Sequence, residues 1–85
     1  LRMQIDEFDG KLLEILGSRM KVAEKIGLLK KEKNVAILQN QRWNEILGKM
    51  ILEGEEKGLS NEFVMHLFKA IHQESITHQE KVINK

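Results

Sequence analysis

Residues 5–30, IDEFDGKLLEILGSRMKVAEKIGLLK, carry the pattern that decides the fold. Apolar residues recur here in steps of three and four, which is the spacing of one helical face. The face consists of Ile5, Phe8, Leu12, Ile15, Leu16, Ala23 and Ile26. We expect one long helix from about Leu1 to Lys33, with this apolar stripe buried.

Two cations lie inside the apolar stripe. Arg19 falls between Leu16 and Ala23. Lys30 follows Arg19 by eleven positions, which is about three helical turns, so both side chains point to the same side. A buried cation is costly unless it is paired, and no acidic residue occupies the stripe. The two residues therefore predict a pocket that binds a small anionic ligand.

Size and composition favour a small helical domain that needs a partner. The chain has 85 residues, 41% of them hydrophobic and 32% charged, with no proline and no cysteine. Neither a disulfide nor a thiolate metal site can therefore stabilise it. A helix of this length extends about 50 Å, further than a compact chain of this size is wide. Because the helix cannot bury its length within its own subunit, we expect a homodimer.

Charge and hydropathy bear on location and partners. A formal net charge of +1 gives no general attraction to nucleic acid or to an acidic membrane surface. No apolar run approaches the ~20 residues that span a bilayer, and no signal peptide is visible. The default compartment is the cytoplasm. The chain opens at Leu1 rather than Met, which suggests a trimmed chain or a module of a longer protein.

Two shorter helices are predicted after a loop at positions 34–36. The second begins at position 39 or 40 and ends near Lys57, where Gly58 fits the left-handed residue that commonly ends a helix. Ser60 fits the N-cap of the third helix, which reaches Val82. The sequence shows no strand alternation, so the fold class is all-α with one long and two shorter helices.

Polar residues interrupt the apolar face of the third helix. Ser75 and Gln79 lie four positions apart and could line a polar pocket, or they could form hydrogen bonds within a core or mark a solvated helix end. Arg42 in the second helix is, taken alone, most simply a surface arginine. His72, three positions before Ser75, could border the same pocket, although a partly exposed bystander is the simpler interpretation.

Several other kinds of site are not indicated. His66, His72 and His78 are six positions apart, so successive side chains rotate by about 240° and do not share a metal-binding face. The sequence has no glycine-rich phosphate loop, nucleophile–base pair or paired carboxylates. We therefore predict neither a metal nor a cofactor. The residues alone indicate an all-helical, dimeric protein with a cationic pocket for a small anion.

A larger set of residues extends this interpretation. The set is Arg2, Ile5, Asp6, Asp9, Leu12, Leu13, Arg19, Ile26, Gly27, Lys30, Arg42, Gly58, Leu59, Ser60, Phe63, Val64, Leu67, Phe68, Ile71, Ser75 and Gln79. Each motif is weak singly, but the ordered set covers nearly the whole chain and resembles the all-helical class of chorismate mutases. The resemblance implies an intertwined homodimer of three-helix subunits. It also implies one chorismate mutase domain over residues 1–85, which converts chorismate to prephenate in aromatic amino-acid biosynthesis.

The reaction of this class is a Claisen rearrangement, in which an ether C–O bond breaks as a C–C bond forms. It depends on positioning and electrostatic stabilisation, without a nucleophile, proton transfer or metal. The resemblance implies that Arg19 and Arg42 hold substrate carboxylates in bidentate fashion. It implies that Lys30 reaches the ether oxygen and a carboxylate. Gln79 would donate a hydrogen bond to the same ether oxygen.

The same resemblance implies roles for two further residues. Ser75 matches a residue that contacts a carboxylate, and Arg2 matches an arginine that reaches into the neighbouring subunit's site. Arg2 precedes Arg19 by seventeen positions, about 25 Å along a helix, so one small ligand can hardly touch both from one chain.

Two positions depart from the common pattern of the class. Gln39 stands where aspartate is usual, and Trp43 where glutamate is usual. In relatives those acids contact the ring hydroxyl of the substrate. Gln39 can still form that hydrogen bond, whereas Trp43 cannot play the glutamate's part.

Two alternative functions remain at the level of sequence. The same fold includes lyases that split isochorismate into salicylate and pyruvate, although Ser75 fits the mutase pattern better. A non-catalytic regulatory or dimerisation module is the second alternative, and the complete set of matched polar residues argues against it. Covalent fusion to an aldolase or to a prephenate-processing enzyme of the same pathway is compatible with either activity.

Overall fold

The computed structural model of the chain describes residues 1–36 and 40–84. Its helices are α1 (Arg2–Lys33), α2 (Asn40–Glu56) and α3 (Asn61–Ile83), and the described residues include no strand. The predicted all-α class and the order of one long and two shorter helices are confirmed. The second helix ends one residue earlier than the sequence predicts.

The helix ends follow from local chemistry. At the end of α1, Asn34 adopts a left-handed conformation with φ 56°, and its N–H is directed to the carbonyls of Lys30 and Lys31. Between α2 and α3, Gly58 has φ 79°, a conformation that a residue without Cβ adopts at little cost. The Ser60 hydroxyl accepts a hydrogen bond from the Phe63 amide at 3.2 Å. The predicted turn and N-cap are confirmed.

Helix α3 packs against both α1 and α2, and two glycines allow these approaches. A Cβ at Gly27 would lie 2.9 Å from Cα of Gln79 and 2.9 Å from a Val82 methyl. A Cβ at Gly54 would lie 2.6 Å from a Val64 methyl. Only glycine fits such distances without a shift in structure, so Gly27 sets how closely α3 approaches α1, and Gly54 does the same for α2.

The core of the single chain is small. Among the described residues, the buried apolar side chains are Met20, Ala23 and Val64. The whole chain is flat, with extents of 47 × 27 × 14 Å, and every residue from 1 to 15 is exposed. Ile5 keeps 60% of its surface exposed and Phe8 keeps 67%.

The apolar stripe is therefore largely uncovered in the single chain, as expected for a helix too long to be buried within its own subunit, and its burial by a partner stays a prediction. Ala23 is buried and Leu16 is half-buried, but the rest of the stripe is exposed. The reason is that α3 covers only the C-terminal half of α1. Periodicity identifies the face of the helix correctly and does not say which element covers it.

A histidine links α1 to α3. His78 Nδ1 lies 2.7 Å from Glu24 on α1, and its Nε2 lies 3.0 Å from Glu74 one turn earlier on α3. Both ring nitrogens donate when the imidazole is protonated. Hydrogen bonds to Glu24 and to Glu74 raise the pKa of His78 above its ordinary value.

This link predicts a pH-dependent contribution to stability. A pKa that is raised in the folded state means that folding favours the protonated form. The contribution is fully present below the unfolded value of about 6.5 and is lost as pH rises through the raised folded value. We expect His78→Gln to lower the free energy of unfolding at mildly acidic pH, with a difference from the parent that shrinks toward alkaline pH.

Urea unfolding at one protein concentration across this pH range measures the difference. His66→Gln is the matched control, because His66 is exposed on the same helix. A difference for His78→Gln that stays constant, or that grows as pH rises, contradicts the link.

Candidate active site

A cavity of about 340 Å³ opens among the three helices, a volume within the range of small-molecule sites. It is lined by Arg19, Val22, Ala23, Ile26 and Lys30 of α1, by Arg42, Trp43 and Ile46 of α2, and by His72, Ser75, Ile76 and Gln79 of α3. Five of the residues that the sequence predicts for the site therefore line the same cavity. They are Arg19, Lys30, Arg42, Ser75 and Gln79.

Arg19 is held against α3 by a short chain of hydrogen bonds. Its guanidinium Nη1 donates to the Ser75 hydroxyl, and that hydroxyl donates to the Met20 sulfur at 3.7 Å. Ser75 is buried, so its hydroxyl is a fixed acceptor. One N–H of the guanidinium is thereby anchored, and the others can bind a ligand.

Lys30 and Gln79 meet across the same cavity. Lys30 Nζ donates to Gln79 Oε1 at 3.1 Å, and Gln79 is buried. Because the amide oxygen accepts from Lys30, the amide nitrogen is left to act as a donor. The contact depends on Gly27, which lies one turn before Lys30 and lets the backbone of Gln79 approach α1.

The cavity is strongly cationic. Arg19, Lys30 and Arg42 line it, and none of the described lining residues is Asp or Glu. Burial lowers the pKa of Lys30, and the nearby Arg42 lowers it further. No carboxylate of residues 1–36 and 40–84 forms an ion pair with Arg19 or Arg42. A chain of net charge +1 thus places three cations together, which suits a ligand with more than one negative charge.

His72 belongs to the cavity wall. Its ring stacks on Trp43 with centroids 4.0 Å apart and an angle of 12° between the planes. Its Nε2 is buried and, among the described residues, has no hydrogen-bond partner. Burial lowers the pKa of His72, and the charges of Arg19 and Lys30 lower it further. The choice that the sequence leaves open is therefore decided: His72 borders the pocket.

Two predicted site residues are not on this wall. Arg2 is exposed at the start of α1 and does not line the cavity. Gln39 lies outside the described residues, so its predicted contact with a hydroxyl stays a prediction.

A second, larger hollow of about 620 Å³ runs between α1 and α3. Its wall is mostly apolar, from Leu13 and Leu16 on α1 to Leu67 and Ile71 on α3. The hollow holds no arginine among the described residues, and its His78 is already bonded to two glutamates. We assign the anion site to the smaller cavity, because that is where the cations converge.

No group of three His, Asp or Glu side chains in residues 1–36 and 40–84 is arranged to hold a metal ion. Within the same ranges no helix is long and apolar enough to cross a membrane.

A cationic cavity among three helices, with a buried amide and no carboxylate among its described lining residues, has the charge and the donors that suit a small polyanion. Comparison with known families agrees with this description. Residues 1–80 match the family described as chorismate mutase type II. The chain belongs to this family, and the resemblance stated from the sequence is confirmed.

Curated relatives carry the same family name. One is the bifunctional chorismate mutase/prephenate dehydratase of Buchnera aphidicola subsp. Acyrthosiphon pisum (strain APS), 33% identical over 84 residues, which are 99% of this chain and 22% of the relative. Another, with the same name, is from Aquifex aeolicus (strain VF5), 31% identical over 85 residues, with 96% of this chain and 24% of the relative covered. The chain therefore spans less than a quarter of the length of these relatives.

Proposed function

We propose that this domain catalyses the Claisen rearrangement of chorismate to prephenate in aromatic amino-acid biosynthesis. The observation that carries the proposal is the contact between Lys30 and Gln79 in a cavity lined by two further cations and by no described carboxylate. Two adjacent donors in such a cavity suit an oxygen that becomes negative in the transition state. The extent of the domain, residues 1–85, stays a prediction.

The binding step uses the two arginines. Chorismate is a dianion, and a guanidinium matches the planar geometry of a carboxylate with two parallel hydrogen bonds. Arg19 and Arg42 come from different helices, so together they can hold two carboxylates and fix the conformation of the molecule between them. Ser75 acts here as a positioning residue, because its hydroxyl anchors one N–H of Arg19.

The chemical step uses Lys30 of α1 and Gln79 of α3. As the ether C–O bond breaks, negative charge grows on the ether oxygen. The ammonium of Lys30 and the amide nitrogen of Gln79 stabilise that charge. Because the two side chains are already in contact at 3.1 Å, little reorganisation is needed when the charge develops.

We further propose that the active protein is an intertwined homodimer in which Arg2 completes the partner's site. The uncovered apolar stripe of α1 and the small core of the single chain support this assembly. Arg2 lies about 25 Å along the helix from Arg19, too far for one small ligand to touch both within one chain. Residues 1–15 of one protomer would cover the apolar hollow between α1 and α3 of the other.

The proposed activity is tested by incubating the purified chain with chorismate and identifying the product. Prephenate is expected. Incubation with isochorismate is the second arm, because salicylate and pyruvate would indicate a lyase. A chain that is helical by circular dichroism but converts neither substrate is a non-catalytic module, and that outcome contradicts the proposal.

The role of Gln79 predicts a change in pH dependence. An amide donates a hydrogen bond at any ordinary pH, whereas a carboxyl donates only when it is protonated. We expect Gln79→Glu to be weakly active at neutral pH and to recover activity as pH falls.

The measurement is kcat/KM for chorismate against pH over the range in which both proteins stay folded. Gln73→Glu supplies the matched control, since it adds the same charge at an exposed position of α3. If Gln79→Glu and the parent gave parallel profiles, Gln79 would not be the ether-oxygen donor.

The relatives also suggest a partner for this domain. They are named as bifunctional chorismate mutase/prephenate dehydratase proteins. Covalent fusion to an enzyme that consumes prephenate is therefore the arrangement that we propose for the natural protein, in the cytoplasm. The mass of the protein in extracts of its source, measured with an antibody to this chain, tests the fusion.

A further inference from the structure

Among the described residues of the cavity, His72 is a polar side chain that the proposed mechanism does not use. His72 lines the wall beside Arg19, Lys30 and Gln79. Its Nε2 is buried, and the described residues offer it no hydrogen-bond partner. A buried polar nitrogen without a partner costs free energy, and the residue that carries it lines a ligand cavity.

The imidazole of His72 is stacked on a neighbouring aromatic ring. It lies nearly parallel to the indole of Trp43 at 4.0 Å, and the two residues come from α3 and α2. Such a stack limits rotation of the imidazole and keeps its edge in one direction. The position next to Arg42 thus carries a flat aromatic support for His72 instead of a carboxylate that could accept a hydrogen bond from a hydroxyl.

The charge state of the His72 imidazole limits the kind of ligand group that it can bind. Burial and the two cations of α1 lower the pKa of His72, so the imidazole is neutral where an ordinary histidine begins to be protonated. A neutral imidazole has one donor and one acceptor nitrogen. It therefore suits an uncharged group that can both give and receive a hydrogen bond, such as a hydroxyl.

The substrate of the proposed function has one group of that kind. Chorismate carries two carboxylates, an ether oxygen and a ring hydroxyl. The arginines suit the carboxylates, and Lys30 with Gln79 suits the ether oxygen. The hydroxyl is the polar group of the ligand that these residues leave without a partner on the described wall, and His72 is a side chain of that wall with both a donor and an acceptor nitrogen.

We propose that His72, supported by its stack on Trp43, hydrogen-bonds the ring hydroxyl of chorismate and determines specificity for it. This assignment rests on the proposed mutase function. His72 contacts the substrate, whereas Trp43 is a positioning residue. The hydroxyl takes no part in the bonds that form and break, so its recognition governs which substrate is used.

The experiment compares two substrates and three proteins. The substrates are chorismate and an analogue in which hydrogen replaces the ring hydroxyl; both keep the enolpyruvyl ether and can rearrange. The proteins are the parent, His72→Phe and His66→Phe. Phenylalanine keeps a flat ring to stack on Trp43 but has no nitrogen, and His66 is exposed on the same helix.

The readout is the preference for chorismate over the analogue, as a ratio of kcat/KM values. One hydrogen bond to a neutral group corresponds to a preference of about tenfold. We expect the parent and His66→Phe to show this preference and His72→Phe to lose it, mainly through slower use of chorismate. A loss of activity that is equal for the two substrates indicates a packing role and overturns the assignment, as does an unchanged preference.

A second measurement does not depend on the variants folding. In the parent labelled with ¹⁵N-histidine, the ring signals of His72 should shift when prephenate binds and shift less when the product lacking the hydroxyl binds. Equal shifts overturn the assignment and leave the mutase function intact. The parent's turnover of chorismate is measured first, because a parent without turnover overturns the mutase function and this assignment with it.

Discussion

Replacing Lys30 with Met should lower kcat/KM for chorismate by ~100-fold or more, the effect of losing one preorganised donor to a developing oxyanion. Methionine keeps a stem of similar length and removes the ammonium that donates to Gln79 Oε1 at 3.1 Å. Without that donor the amide of Gln79 loses the hydrogen bond that orients it. The ether oxygen thus loses the positive charge of Lys30. It also loses a well-oriented hydrogen bond from the amide of Gln79.

The structure supplies a close control for this substitution. Lys33 shares the last turn of α1 with Lys30 but is exposed and does not line the cavity. Lys33→Met removes the same charge from the same helix end, so any effect through the helix dipole appears in both variants. We expect Lys33→Met to keep nearly full activity. If the Lys30→Met variant is folded and its kcat/KM is close to that of the parent, Lys30 has no part in the mechanism.

The ends of the helices are predictable from the sequence because their causes are local. Gly58 ends α2 because the chain turns there with a positive φ. Ser60 begins α3 because its hydroxyl is within reach of the Phe63 amide. Each signal involves residues within three positions of one another, and no tertiary information is needed to recognise it.

The cationic pocket is predictable in part. The periodicity of α1 places Arg19 and Lys30 on one side, and the structure places both on the cavity wall. The contacts that organise them are not local. Arg19 is anchored by Ser75, which lies 56 positions away, and Lys30 by Gln79, which lies 49 positions away. Those partners follow from the sequence only through the family resemblance.

Two features could not be found from the sequence alone. Gly27 in isolation indicates only a weak point in a helix, and its purpose becomes visible when Gln79 is found against it. Trp43 in isolation indicates packing, and a departure from the family pattern. Its stack on His72 joins two helices. Because the two residues are far apart in the sequence, neither one predicts the contact with the other.

The second large effect concerns the shared site. If Arg2 serves the partner's cavity, each site combines Arg19, Lys30 and Arg42 of one protomer with Arg2 of the other. Homodimers of Arg2→Ala and of Arg42→Ala should then each have two impaired sites. Both variants should fold, because both side chains are exposed in the single chain.

Unfolding the two variants together and refolding them should restore activity. In a mixed dimer, the Arg2→Ala chain keeps its own Arg42 and receives an intact Arg2 from its partner, which completes one site. The other site lacks both arginines. Random pairing in a two-fold assembly makes about half of the dimers mixed, so roughly a quarter of all sites should recover.

Each variant refolded alone is the control. If Arg2 instead acted within its own chain, every site would still lack an arginine. A mixture that contains heterodimer by native mass spectrometry, but is no more active than the mean of the two controls, would exclude the shared site.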